Sequence, residues 1–424
     1  MRLKKILYKL TGFAINPLII AYHNIENWFL KHTYSRFNGR TQVELLVNDT
    51  LPTCLCSIQY SLENKTYPTV KGYLFQSYPQ SDSSLYYCDS IGNNTKTIAK
   101  TSFNPLDYNI SLSPSGIIIA TPIAKRGKMY VIKDGCEITL FQSEGNSQPC
   151  GWLYNTGIDY LLDDDGNEIC VFAEYGHSES EYYVWRGKAP YNHESLWEKV
   201  FCQEGEKDIH HFHQIKRDPW TGYLYLTSGD NGRQNKWWYS KDCGITFTIF
   251  NSAKICNSEP NVLRMTNFVF TEKYVYWATD SAKSHSLHRM QRTEQDGLID
   301  VRSRKQLISL PYGQATNAIC FIESLNALFL YERVAWSEYD LFEQQLKGRF
   351  SEYIYMIDDE KLYSLFEITN KDNHWGGHCG KCYQLYATGR HDVIMGFSYD
   401  TPCIMTNLRP DYYKAGSIIY NINK

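Results

Sequence analysis

The sequence has little of what a membrane, nucleic-acid or disulfide-framework protein needs. The apolar run from Phe13 to Tyr22 is too short to cross a bilayer, and Asn16-Pro17 interrupts it. Net charge is only −3, so no global field draws in nucleic acid, and none is expected as a partner. The 13 cysteines are odd in number and scattered, which argues against a complete disulfide framework and for a reducing compartment, the cytoplasm. Beyond residue 40, helical periodicity is scarce, so a helical bundle is excluded.

What is present is aromatic. With 34 Tyr, 19 Phe and 10 Trp, the chain favours half-buried sheet surfaces. The same rings suit sugar binding, because a flat amphipathic ring stacks on a pyranose while its polar tip hydrogen-bonds; sheet packing alone is the plainer explanation. The first 40 residues differ from the rest. Arg2, Lys4, Lys5, Lys9, Lys31, Arg36 and Arg40 face a single acid, Glu26, and Leu3, Ile6, Leu7, Leu10 and Phe13 recur at helical spacing. This predicts a basic amphipathic helical extension over 1–40, suited either to peripheral contact with an anionic membrane or to packing on the main domain. A secretory signal fits less well, since Lys9 breaks its apolar core.

Short β-rich runs then recur between Gly, Asp, Asn and Ser. The clearest unit spans 208–250, with strands over 209–215, 223–227, 237–239 and 246–250. Four antiparallel strands of this kind make one propeller blade. Similar units occupy 109–141, 157–201, 261–310 (first strand 263–270) and 316–366, with a weaker one inside 54–101. The last segment offers strands over 383–387, 393–397 and 417–420, and the run 42–47 is free to supply its fourth. That pairing of the chain ends would remove exposed sheet edges. The expected fold is all-β: a β-propeller of seven four-stranded blades over 41–424, with six blades as the alternative.

The segment Ser240-Lys241-Asp242-Cys243-Gly244-Ile245-Thr246-Phe247 resembles an Asp-box, the Ser-x-Asp-x-Gly-x-Thr-Trp/Phe turn of sialidase-like propellers, also called the BNR repeat. The resemblance covers one blade well, through Asp218-Pro219-x-Thr221-Gly222 and Ser228-Gly229-Asp230. It implies a structural role: Asp242 bonds turn amides, Gly244 takes positive φ, and Phe247 packs between sheets. Sialidases of this superfamily generally carry an Arg-Ile-Pro element and three arginines for the substrate carboxylate. No Arg-Ile-Pro occurs here, so typical sialidase activity is not expected.

Blade topology locates candidate chemistry. If each blade is entered on its innermost strand, the loops before first strands and those joining second to third strands share one face. The Asp242 turn lies on the other. Period-two alternation in Asp208 to Gln214 puts His211 and His213 on one side and His210 on the other. Arg264 holds the comparable place in the next unit. The second-to-third-strand loops bring Glu174, Tyr175 and His177, then Asp230, Asp280 and Arg333, and Trp375 precedes the last unit.

Three chemistries could use that set. His210, His211 and His213 with Gln214 could ligate a divalent metal such as Zn or Mn. His211, His213 and Tyr175 could supply base and acid for β-elimination from a uronate, with Arg264 or a metal neutralising the carboxylate. Glu174 and Asp230 could act as paired acids on a glycosidic bond. Arg264, Arg333, His177, Asp280 and Trp375 would line the substrate path. The plainer reading is that inner-strand histidines hydrogen-bond across blades and loop acids are turn residues. Cys379-Gly380-Lys381-Cys382, preceded by His374 and His378, has half of a zinc-ligand spacing and no second pair. Two functions follow as expectations: a carbohydrate-active lyase or hydrolase acting on an acidic glycan, or a non-catalytic glycan-binding or scaffold propeller working beside surface-polysaccharide enzymes.

Overall fold

A computed structural model of the chain describes residues 54–309 apart from short connections within that span, together with the strands named below outside it. Five antiparallel sheets follow one another along the chain, spanning 54–100, 108–140, 158–204, 211–252 and 268–309. Each has four strands whose order in space is their order in sequence, as in the blades of a propeller. Beyond them, Gly313–Gln314 and Ile319–Ile322 both pair with Ala327–Val334, which is followed by Phe350–Asp358 and Lys361–Asn370. A further sheet holds Lys381–Ala387, Val393–Asp400 and Gly416–Asn423, and Gln42–Asn48 pairs along its whole length with Gly416–Asn423. The expected N-terminal helix lies outside the described residues. Among the described residues no helix is long and apolar enough to cross a membrane.

Each layer of core is shared by two successive sheets. Ile110, Ile118 and Ile132 of the second sheet pack with Leu74 and Leu85 of the first, and Phe172 and Trp185 of the third pack with Ile119, Met129 and Val131 of the second. Phe212 and Trp238 of the fourth pack with Val171 and Val184 of the third. Between the fourth and fifth, Trp237 lies T-shaped on Trp277 with ring centroids 5.2 Å apart and stacks on Phe268 at 5.5 Å. Among the described residues, these flat rings fill the layers between sheets, each about 10 Å thick.

The Ser240–Phe247 turn forms as its side chains dictate. Asp242 accepts from the Ser240 hydroxyl at 2.7 Å, from the Thr246 amide at 2.9 Å and from the Thr246 hydroxyl at 2.6 Å. Gly244 sits at φ +83°, where a Cβ is disfavoured, and Phe247 packs on Phe201 at 5.3 Å in the layer shared with the third sheet. Leu224 pairs with Ser240 and Thr227 with Trp237, so this turn and Asp230 lie at opposite ends of the fourth sheet.

One strand expectation is corrected. The run 263–270 is not a continuous inner strand: Pro260–Leu263 is a 3-10 turn and the strand is only Phe268–Phe270. The apolar residues before it plug the inter-sheet layer from a loop. Val262 and Leu263 offer their carbonyls to the indoles of Trp277 and Trp237, at 2.8 and 3.4 Å. Arg264 consequently sits in the connection ahead of the strand. The outer strand of the same sheet, Ile299–Ser309, is so rich in Arg, Lys and Ser that its alternation is hard to read from sequence.

Candidate functional site

The fourth sheet opens on His211–Arg217, and a bulge falls near its start. His211 lies opposite Gly229 and Phe212 opposite Ser228, but Gln214 is the residue opposite Thr227. His213 is the extra residue, left without a ladder partner. Its ring fills the space over Gly229, where a Cβ would stand 2.1 Å from Cε1 of His213. Glycine at 229 is thus required by the imidazole.

Both rings are anchored through Nδ1: His211 to the carbonyl of Gly176 at 3.0 Å and His213 to the carbonyl of Met265 at 2.6 Å. That turns both Nε2 atoms inward, 3.2 Å apart. Asp230 completes a triangle, with Oδ2 at 3.2 Å from His211 Nε2 and Oδ1 at 3.2 Å from His213 Nε2. Both histidines are almost fully buried, whereas the Asp230 side chain is 28% exposed and gives the group its open side. Arg264 reaches Asp230 at 3.2 Å and Asp280 at 3.5 Å.

Burial pushes the His211 pKa down to about 4, against the pull of Asp230. Burial also works against protonated His213, but Asp230, Asp280 and the Met265 carbonyl outweigh it and its pKa rises. Burial alone would raise the Asp230 pKa; its bonds to the two histidines instead hold it well below the usual carboxylate range. The same carboxylate thus opposes burial at both rings and outweighs it, with its neighbours, only at His213.

The loop after the second strand of the third sheet supplies the neighbours. Tyr175 lies against His211 with ring centroids 4.0 Å apart, and His177 meets Tyr175 at 5.6 Å and His211 at 5.9 Å. His210, just before the strand, has its ring 4.6 Å from that of His211 and bonds Glu206 at 2.7 Å. Three successive sheets thus bring together Tyr175, His177, His210, His211, His213, Asp230, Arg264 and Asp280.

Two candidates do not join them. Glu174 is fully buried, and both its oxygens are occupied: by Arg126 at 2.9 and 3.1 Å, the amides of Cys150 and Tyr183 at 3.0 Å, and the Trp185 indole at 2.8 Å. A carboxylate so saturated has no lone pair left for a substrate, so the pairing of Glu174 with Asp230 as hydrolytic acids is corrected. Gln214 donates to Asn267 at 3.1 Å and does not enter the histidine group, because the bulge leaves it opposite Thr227. Trp375, His374, His378 and Cys379 lie outside the described residues, as do the side chains of Arg333 and Cys382. Three parts of the arrangement escape sequence reasoning: Arg126 as the partner of Glu174, the orienting carbonyls of Gly176 and Met265, and the steric demand on Gly229. Only Gly229 had a visible signal, a glycine beside a loop acid.

The sheets define the class, an all-β propeller. No protein-family model matches the sequence, and no curated protein sequence does. Among solved structures, the chain is similar to the WD40 repeats of RRP9, at 8% identity over 90% of this chain and 97% of that one, with a TM-score of 0.44. It is similar to the Dos1 propeller at 8% identity over 87% and 78% of the two chains, with a TM-score of 0.46. The likeness to a prolyl endopeptidase structure, 9% identity and TM-score 0.47, covers 87% of this chain but only 50% of the other.

Proposed function

We propose that the protein is a seven-bladed propeller of the sialidase-like, Asp-box type that acts on an acidic glycan by β-elimination at the mouth between its third and fifth sheets. The observation that carries this reading is the convergence of Tyr175, His177, His211, His213, Asp230 and Arg264 from three successive sheets at one open edge. Elimination needs a positive group for the uronate carboxylate and a base and acid beside the sugar. Arg264, whose charge is offset by Asp230 and Asp280, supplies the first together with a cation bound beside it, and Tyr175 with His177 the second. The base takes the proton alpha to the carboxylate, the bond to the glycosidic oxygen breaks, and the acid returns a proton to that oxygen, leaving an unsaturated uronate. Elimination is favoured over hydrolysis because Glu174 is committed to Arg126. The Ser240–Phe247 turn supports the Asp-box assignment, and the pairing of Gln42–Asn48 with Gly416–Asn423 supports closure of the ring by its two ends. In this reading the basic segment 1–40 holds the propeller at an anionic membrane surface.

A panel of uronate polysaccharides incubated with the purified chain tests this. Unsaturated products should accumulate, and Tyr175→Phe should slow them by roughly 100-fold or more. No turnover across the panel would overturn elimination. A second reading is favoured by the deep burial of His211 and His213, 1% and 2% exposed: a non-catalytic glycan-binding or scaffold propeller, which predicts binding without turnover.

A further inference from the structure

His211, His213 and Asp230 present three electron-pair donors to one point. With each Nδ1 committed to a carbonyl, the Nε2 atoms face each other and the Asp230 carboxylate across edges of 3.2, 3.2 and 3.2 Å. Lone pairs so aimed repel unless a cation lies among them. A proton answers only one edge, and a charge-assisted bond draws its partners to about 2.7–2.9 Å. No edge here is that short. The carboxylate meets the two rings through different oxygens, Oδ2 for His211 and Oδ1 for His213, so an ion seated among the Nε2 atoms at about 2.0–2.1 Å would be held by the carboxylate through either oxygen or both.

We propose that His211 Nε2, His213 Nε2 and the Asp230 carboxylate form a binding site for a borderline divalent cation of the Zn2+ type, with its remaining position open on the exposed side of Asp230. Two imidazoles and one carboxylate suit such an ion better than Mg2+ or Ca2+, which prefer all-oxygen shells. Outer partners of the usual kind are present: the Gly176 and Met265 carbonyls fix the ring orientations, and Arg264 braces both Asp230 and Asp280. With neutral rings, Asp230, Asp280 and Arg264 sum to a formal charge of −1, so the pocket attracts a cation. Once filled, it carries +1 and faces solvent. The further role of that charge, neutralising a uronate carboxylate, rests on the elimination reading above; the site itself does not.

The test uses the full chain and no glycan. The metal-stripped protein is titrated with Zn2+ by calorimetry and with Co2+ by visible absorption. One equivalent should bind per chain, and the cobalt spectrum should report nitrogen and oxygen ligands. Asp230→Asn and His211→Gln should each weaken binding by at least the roughly 10–100-fold that even an outer-shell loss costs, with circular dichroism reporting retained folding. Should either variant fail to fold, histidine ring NMR of the wild-type chain decides instead: Zn2+ must shift the Nε2 resonances of two buried histidines. Three results would each overturn the site: no binding of either ion, binding unchanged in both folded variants, or a thiolate charge-transfer band assigning the metal to cysteines. If the metal binds as described but no uronate is turned over, the elimination reading fails and the metal site stands.

Discussion

At the scale of single residues, Gly229 and Arg126 bear more weight than their places in the sequence suggest. Gly229→Ala forces a Cβ into the His213 ring, so it should cost about 1–3 kcal/mol in urea unfolding. It should also abolish metal binding. Arg126→Met strands a carboxylate whose every other partner is a neutral N–H, and a loss of about 3–5 kcal/mol is expected. Glu174→Gln should cost less, because Arg126 keeps Glu179 at 3.1 Å and the carbonyls of Gln148 and Glu181. If the two variants are equally unstable by urea titration, the pair is not asymmetric in this way. The sequence revealed the histidines and Asp230 because alternation and loop position are local properties. It could not reveal that Glu174 is consumed, since Arg126 lies 48 positions away, in a connection between strands of the second sheet.

Elements were legible where polar turns bound a short β-rich run. In the fourth sheet the expected strands 209–215, 223–227, 237–239 and 246–250 correspond to His211–Arg217, Leu224–Gly229, Lys236–Ser240 and Thr248–Ser252. Where a loop is itself apolar, as at Val262 to Met265, composition imitates a strand and the boundary is lost. The turn after Ser240 permits a test at this scale. Burial is the largest single influence and opposes the Asp242 charge, but its bonds to Thr246 and Ser240 together prevail, and its pKa is lowered on folding. Its contribution is therefore complete above the ordinary carboxylate pKa and fades as pH falls through the lowered one. Asp242→Ala should cost about 0.5–2 kcal/mol at neutral pH, as loss of a capping carboxylate does. The deficit should shrink in acid, while metal affinity, set at the far end of the sheet, stays unchanged. Trp237→Ala acts on the layer between two sheets instead, and about 3–5 kcal/mol should disappear from the unfolding free energy.

For the whole molecule, repetition was the readable quantity, because the same hydrophobic logic recurs from sheet to sheet. The site was less readable, because it is distributed over three sheets that meet only on folding. Deleting residues 1–48 would remove the strand paired with Gly416–Asn423 and leave an open sheet edge. Self-association by light scattering and a lower melting temperature are the expected outcome; a monomer of unchanged melting temperature would show that the pairing is dispensable. One small feature reaches further than its size. The extra residue at His213 puts everything after it one step out of phase with the start of its own strand, and comparable slips occur at Leu55/Ser57, Val184/Trp185 and Leu287/His288, each in a different strand. A comparison of the chain with itself at any fixed period would lose step at each of them. The copies can thus be alike in three dimensions while their text has drifted out of rhyme, and the place where the meter breaks in the fourth is where the two histidines meet.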